Sequence, residues 1–141
     1  MSTITEYLEE LSGRSVTVIG MGISNVPLIK MLLRAGVKVT VRDKANREKV
    51  ADLAQELESL GATLVLGPDY LKDLGGELIF RTPGLSPNTP ELAQAVENGA
   101  ALSSEMEVFF QTCLSHLVAV TGSDGKTTTT TLISKFYEAA G

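Results

Sequence analysis

Cysteine, aromatic residues and basic charge are all scarce in this chain. Cys113 is the single cysteine among 141 residues, so no disulfide can form within the chain, and no cysteine–histidine cluster has the spacing of a zinc site. With 5% aromatic and 43% hydrophobic residues, the chain can bury one ordinary core of Val, Leu, Ile and Ala. A lone cysteine favours a reducing, cytoplasmic compartment.

A basic surface and a membrane-spanning segment are also lacking. The net charge is −5, whereas a nucleic-acid surface needs clustered Lys and Arg to displace counterions. No apolar run approaches the roughly 20 residues that span a bilayer. Residues 1–11 carry three glutamates instead of the basic start of a secretory signal. We therefore expect a cytoplasmic protein that binds neither nucleic acid nor a membrane.

What the chain does contain is a regular alternation of strand and helix patterns. Short β-branched or apolar runs predict strands at residues 16–19, 37–41, 63–66, 78–80 and 101–103. Helical spacing predicts helices near Pro27, from Arg47, from Pro90 and after Ser104, the last carrying Val108, Phe109 and Phe110 inward. Because parallel neighbours need helical crossovers, this order predicts an α/β fold, a Rossmann-like doubly wound parallel sheet.

A glycine-containing turn follows the first predicted strand. Gly20-Met-Gly-Ile-Ser-Asn25 has the first two glycines of a dinucleotide fingerprint but Asn25 at the third position. Asp43 follows at about the spacing of a ribose-contacting acid. A tight turn whose glycines only relieve steric clash would show the same pattern. Ligand binding is favoured because three strands, ending at Gly20, Asp43 and Thr82, converge on one edge of the sheet.

A phosphate-binding loop lies near the end of the sequence. The apolar run 117–120 predicts a strand, which leads into Thr121-Gly-Ser-Asp-Gly-Lys-Thr-Thr128 and then into a helix. Backbone N–H groups of this loop would bind phosphate oxygens, Lys126 would reach the terminal phosphates, and Thr127 would reach a magnesium ion. A P-loop needs a parallel sheet behind it, and only residues 121–141 follow the strand. We therefore expect the chain to be part of a longer enzyme.

Five segments together resemble the Mur ligases of peptidoglycan synthesis, most nearly those that add D-glutamate to UDP-N-acetylmuramoyl-L-alanine. The segments are residues 20–25, 42–44, 82–86, 104–109 and 121–128. The resemblance implies a UDP-substrate-binding domain over residues 1–112, and a linker and the start of a central ATPase domain (strand, P-loop and helix) over 113–141. In the full-length enzyme, a monomer, ATP would phosphorylate the substrate carboxylate, and the amine of D-glutamate would attack the acyl phosphate.

The resemblance also implies the residues of each site. The UDP moiety would be bound by Gly22, Ile23, Ser24, Asn25, Asp43, Lys44, Thr82, Pro83 and Gly84. ATP would be bound by Gly122, Ser123, Asp124, Gly125, Lys126, Thr127 and Thr128, with Lys126 catalytic and Mg²⁺ held through Thr127. The chain alone would be catalytically inactive. Two alternatives stay open: an NAD-binding regulatory module with a vestigial terminal loop, and a purely structural interaction domain.

Overall fold

A parallel β-sheet forms the centre of the structure. Within residues 3–141, which a computed structural model describes, the sheet has five strands. They are β1 (Ser15–Ile19), β2 (Lys38–Asp43), β3 (Thr63–Leu66), β4 (Leu78–Phe80) and β5 (Ala101–Ser103), in the order β3-β2-β1-β4-β5. Each strand lies within two residues of a predicted segment. The predicted α/β, doubly wound fold is therefore confirmed.

Six helices accompany these strands in the described part of the chain. They are α1 (Ile4–Leu11), α2 (Asn25–Arg34), α3 (Ala51–Ser59), α4 (Pro90–Glu97), α5 (Glu105–Thr112) and α6 (Lys126–Ala140). A single 3-10 turn, Arg47–Val50, precedes α3 and forms the first part of the helix predicted from residue 47. Helix α1 was not predicted, although its capping box of Thr3 and Glu6 is visible in the sequence.

The two faces of the sheet are covered by different elements. Along β1, Val16 and Val18 face a large apolar cluster that includes Leu28, Ile29 and Leu32 of α2. On the opposite face, Ile19 joins a smaller cluster with Leu92 of α4. The strand order reverses between β1 and β4. In doubly wound sheets this switch point opens a crevice at the carboxyl ends of the strands.

Helix α5 is less buried than the sequence predicted. Its capping box forms: Ser104 Oγ accepts from the Glu107 N–H, and the Glu107 carboxylate accepts from the Ser104 N–H. Val108 is buried, but Phe109 and Phe110 are about half exposed, so the prediction that all three point inward is wrong for both phenylalanines. An α-helix turns about 100° per residue, so three consecutive side chains cannot share one face.

The strand predicted at residues 117–120 does not form. This segment has no regular structure, and none of the described strands pairs with it. A parallel strand needs the backbone groups of a neighbour, and the sheet ends at β5 on this side. The P-loop helix does form as α6, although none of its side chains is buried. No helix in the described range has the length and apolar character needed to cross a bilayer.

Candidate functional site

The turn after β1 packs closely against the end of β4. Gly20 has a φ of +96°, and a Cβ built on it would lie 3.3 Å from Thr82 Cβ and 3.4 Å from Asn25 Nδ2. Both the positive φ and the close approach favour glycine at this position. The Gly20 N–H donates to the Arg42 carbonyl at 2.7 Å. The turn is thus held between β2 and the loop that follows β4.

Asn25 stabilises this turn through hydrogen bonds from its side chain. Its side chain is buried, and its Nδ2 donates to the carbonyl oxygens of Ile19 at 3.0 Å and Gly20 at 3.1 Å. A glycine here, as in the dinucleotide fingerprint, could make neither bond. The structure therefore places Asn25 under the turn and outside the lining of the adjacent pocket.

Asp43 connects the ends of β1 and β2. Its Oδ2 accepts from the Met21 N–H at 2.7 Å, and its Oδ1 accepts from the Ala45 N–H at 2.8 Å. Each carboxylate oxygen has two lone pairs, so both can still accept a bond from a ligand hydroxyl or N–H group. Asp43 therefore shapes the turn and also offers acceptors to the pocket that it lines.

The residues between the turn and α2 present their backbone to solvent. Within the described chain, no group accepts a hydrogen bond from the N–H groups of Gly22, Ile23 or Ser24. All three residues are exposed, and the Ile23 side chain is 98% exposed. Free N–H groups at the start of a helix, together with the helix dipole, favour an anionic ligand.

A pocket of about 350 Å³ opens at the carboxyl ends of β1, β2 and β4. It is lined by Ile19, Gly20, Gly22, Asp43, Lys44, Tyr70, Thr82, Gly84 and Leu85. Five of the nine residues assigned to UDP binding are among these: Gly22, Asp43, Lys44, Thr82 and Gly84. Of the other four, Ile23, Ser24 and Pro83 are exposed and Asn25 is buried. Ser24 lines a different cavity, between α1, α2 and α5. The structure therefore brings together residues from three strand ends at the switch point.

Tyr70 and Leu85 line the same pocket and were missed by the sequence reasoning. Leu85 follows Gly84 directly, so its position could have been inferred from the loop after β4. Tyr70 lies in an irregular segment, residues 67–77, that joins β3 to β4. No motif surrounds it, and only its aromatic character in a short crossover loop could have drawn attention to it.

The P-loop residues form a separate group that does not line this pocket. Gly125, with a φ of +75°, is the N-cap of α6, and Lys126 is the first helical residue. Lys126 Nζ donates to the carbonyls of Gly122 at 2.6 Å and Ser123 at 3.3 Å, so the loop curls around the lysine. Thr127 follows in the first turn of the helix.

Only Thr127 represents the predicted magnesium site. Among the described residues, no group of three or more His, Cys, Asp or Glu side chains could hold a metal ion. Cys113 is a free, half-buried thiol whose Sγ lies 3.9 Å from the Ser115 carbonyl. Hydrogen-bonding groups are thus present at two separate places, the pocket at the strand ends and the start of α6.

The sequence comparisons decide the family. Residues 14–104 match the profile described as "Mur ligase MurD-like, N-terminal domain". This chain belongs to the MurD-like Mur ligase family. It is 51% identical over 139 residues to the UDP-N-acetylmuramoylalanine–D-glutamate ligase of Ruminiclostridium cellulolyticum, covering 98% of this chain and 30% of that protein. The ligase of the same name from Clostridium botulinum strain Hall is 44% identical over 141 residues, with 99% and 31% covered. The chain thus spans about 30% of the length of these curated relatives.

Solved structures agree on the fold. A murein peptide ligase from Psychrobacter arcticus superposes with a TM-score of 0.56 at 23% identity, covering 92% of this chain and 27% of that one. A shikimate dehydrogenase from Aquifex aeolicus reaches a TM-score of 0.50 at 21% identity, covering 76% and 48%. At such identities the likeness is one of architecture alone, and the dehydrogenase carries no argument for a nicotinamide cofactor here.

Proposed function

We propose that this chain is the UDP-substrate-binding part of an ATP-dependent ligase that adds D-glutamate to UDP-N-acetylmuramoyl-L-alanine. One observation carries the proposal: Gly22, Asp43, Lys44, Thr82 and Gly84 line a single pocket at the switch point of a MurD-like domain. A crevice at this position is where doubly wound folds bind nucleotides. The relatives that suggest the reaction are named as ligases, and this chain covers about 30% of their length.

The polar groups of the pocket match the parts of a uridine diphosphate. Backbone N–H groups at Gly22, Ile23 and Ser24 would bind the diphosphate at the N-terminus of α2. The remaining lone pairs of the Asp43 carboxylate would accept from a ribose hydroxyl or from the base. The exposed Lys44 ammonium would add positive charge beside the phosphates.

The second part of the proposal concerns residues 113–141. Loop 122–128 would hold ATP, with Lys126 beside the terminal phosphates as the catalytic residue and the Thr127 hydroxyl directed to Mg²⁺. When bound, ATP and Mg²⁺ supply the phosphoryl group that activates the substrate carboxylate. Positioned positive charge from Lys126 would stabilise the negative charge on the phosphate oxygens. The chain covers about 30% of the length of these ligases, and we propose that it does not catalyse alone and that the parent enzyme works in the cytoplasm.

Ligand-dependent thermal unfolding tests the proposal. UDP and UDP-N-acetylmuramoyl-L-alanine, each at about 100 times its Kd, should stabilise the chain by roughly 2.7 kcal/mol. Asp43→Asn removes the carboxylate charge and should reduce both responses, while Asp69→Asn, an exposed residue outside the pocket, serves as the matched control. With ATP and D-glutamate added, the chain alone should release no phosphate.

Three outcomes would contradict this proposal. Stabilisation by NAD without any response to the uridine compounds would favour the regulatory dinucleotide-binding module. Failure of UDP, the UDP-sugar and NAD alike would favour a structural interaction domain. A response to the uridine compounds that Asp69→Asn weakens as strongly as Asp43→Asn would move the site away from the switch point.

A further inference from the structure

The connection between β3 and β4 lacks the helix that usually covers a parallel sheet. Residues 67–77 cross from β3 past β2 and β1 to β4 in turns only. On β2, Val39 and Val41 belong to the large core cluster on the other face. Arg42 therefore points to the face that this crossover loop covers, where an apolar side chain would be expected.

The Arg42 side chain holds the crossover loop through the backbone carbonyls of the loop. Its Nη1 donates to the carbonyls of Tyr70 at 3.1 Å and Lys72 at 2.7 Å, and its Nη2 donates to the carbonyl of Asp73 at 3.0 Å. Asp73 adopts a φ of +50°, the left-handed conformation, which turns its carbonyl toward the guanidinium. The arginine is 9% exposed, and three carbonyl acceptors offset part of the cost of burying its charge, while its buried Nε has no acceptor among the described residues. Burial lowers the pKa of Arg42, and nearby Asp73 partly opposes this.

The held loop places one aromatic ring in the pocket. Tyr70, whose own carbonyl is bound by Arg42, lines the cavity together with Asp43 and Leu85. The ring also packs partly on the smaller core cluster around Ile19. It is the only aromatic side chain among the lining residues. The glycine turn suits a diphosphate, and the Asp43 carboxylate suits a hydroxyl. The Tyr70 ring adds a flat apolar surface on which a nucleobase can stack.

We propose that Tyr70 is the residue that selects for the base of the bound nucleotide, by stacking against it, and that Arg42 is the positioning residue that keeps the ring in place. This inference rests on the proposed function, since it assumes that a uridine nucleotide occupies the pocket. It predicts that Tyr70 and Arg42 contribute to the affinity for the base and not to the affinity for the diphosphate.

Tyrosine fluorescence gives a direct signature of stacking. The chain has three tyrosines and no tryptophan, so the double variant Tyr7→Phe/Tyr137→Phe leaves Tyr70 as the sole emitter. UDP should quench this emission, and inorganic pyrophosphate should not. Quenching of the same size by pyrophosphate would show that the ring senses the anion and would overturn the proposal.

Affinity measurements on the full chain separate the base from the phosphates. By isothermal titration calorimetry, Tyr70→Leu should weaken UDP binding roughly tenfold, the size of one base–aromatic stacking contact. Affinity for pyrophosphate should stay unchanged. Tyr70→Phe keeps the ring and should restore UDP affinity, whereas a loss equal to that of Tyr70→Leu would assign the effect to the hydroxyl. Tyr137→Phe, on α6, is the matched control.

Arg42 is tested through its coupling to Tyr70. Arg42→Lys retains the charge but cannot reach three carbonyls in the same fork, so UDP affinity should fall while pyrophosphate affinity is kept. The double variant Arg42→Lys/Tyr70→Leu should bind UDP no more weakly than Tyr70→Leu alone, because both changes remove one contact. Additive losses would contradict the positioning role. Circular dichroism at each titration temperature establishes that the variants are folded.

The outcomes distinguish this inference from the function on which it rests. If the unmodified chain binds no uridine nucleotide, the proposed function fails. If it binds UDP and Tyr70→Leu binds UDP equally well, the proposed function stands and the selecting role of Tyr70 is refuted.

Discussion

At the scale of single residues, polar atoms that look ligand-directed in the sequence are partly used inside the fold. Each Asp43 carboxylate oxygen accepts one hydrogen bond from a backbone N–H group, and the Asn25 Nδ2 group donates to two backbone carbonyls. The motif was sufficient to find Gly22, Asp43 and Thr82, because glycine turns and strand ends have a sequence pattern. The motif could not show which side chains stabilise the turn and which are available to a ligand, because this depends on the direction of each side chain in the fold.

Asn25 offers a residue-scale prediction. Asn25→Gly restores the third fingerprint glycine but loses the bonds to Ile19 and Gly20 and places glycine in the first turn of α2. We expect the free energy of unfolding to fall by about 2 kcal/mol. Urea unfolding measures it, and Asn98→Gly at the exposed end of α4 is the control. Asn25→Asp, which cannot donate, should be at least as destabilising, and wild-type stability in both variants would refute the bracing role.

At the scale of elements, the strands were predictable and the ends of the chain were less so. β-branched and apolar runs marked β1, β2 and β4, because buried parallel strands favour such residues. The same pattern marked β3, an edge strand in which no residue is buried. The same logic failed for residues 117–120, which are apolar but have no neighbour to pair with. Helix α1 was not predicted, yet its Leu11 is buried in the main cluster. Whether such a segment forms a strand or a helix depends on the elements packed against it, and a local sequence pattern does not contain them.

The starts of β1 and β4 are joined by an ion pair that titrates. Arg14 Nε and the Ser15 N–H both donate to the Glu77 carboxylate, at 2.9 and 3.3 Å. The Arg14 hydrogen bond, followed by that from Ser15, lowers the pKa of Glu77 below its ordinary value of 4.5. A lower pKa in the folded state means that the pair stabilises the fold above pH 4.5 and that this contribution is lost as the pH falls through the folded-state pKa.

Glu77→Gln should therefore lower the Tm slightly at neutral pH, the effect being small because both side chains are about half exposed. The Tm difference from wild type should shrink as the pH falls below 4.5 and vanish once the carboxylate is protonated in the folded state. Thermal unfolding monitored by circular dichroism at several pH values measures it. Glu97→Gln, which removes a helical glutamate that has no ion pair in the described structure, is the control. A difference that persists unchanged at low pH would rule out the ion pair as its cause.

At the scale of the whole molecule, the chain divides into a packed part and an exposed part. The buried residues of both core clusters lie between Leu11 and Val108, whereas α6 buries no side chain. This is consistent with our proposal that residues 113–141 begin a second domain. Exposed Leu132, Phe136 and Tyr137 on α6 are apolar groups that a following sheet would cover. The sequence predicted the helix after the loop, and it predicted that the loop would need a sheet behind it, but it did not predict how exposed the helix is.

Removing residues 113–141 tests this division. We expect a chain that ends at Thr112 to unfold at the same Tm and to bind UDP with the same affinity, because no core residue is lost. Its helical circular dichroism should decrease by the contribution of α6. A loss of about 1 kcal/mol of packing would instead lower the Tm by about 4 °C. Such a decrease would show that the tail stabilises the first domain, contrary to the proposed boundary.

The way in which Arg42 holds residues 70–73 has a consequence for hydrogen–deuterium exchange. The arginine engages carbonyl oxygens, whereas the N–H groups of Leu71, Asp73 and Leu74 have no acceptor within the described chain. Amide deuteration depends on whether N–H groups are protected. The unbonded amides of this segment should therefore exchange as quickly as those of a flexible loop, although Arg42 holds its carbonyl oxygens. Rapid exchange there is compatible with a fixed Tyr70 ring.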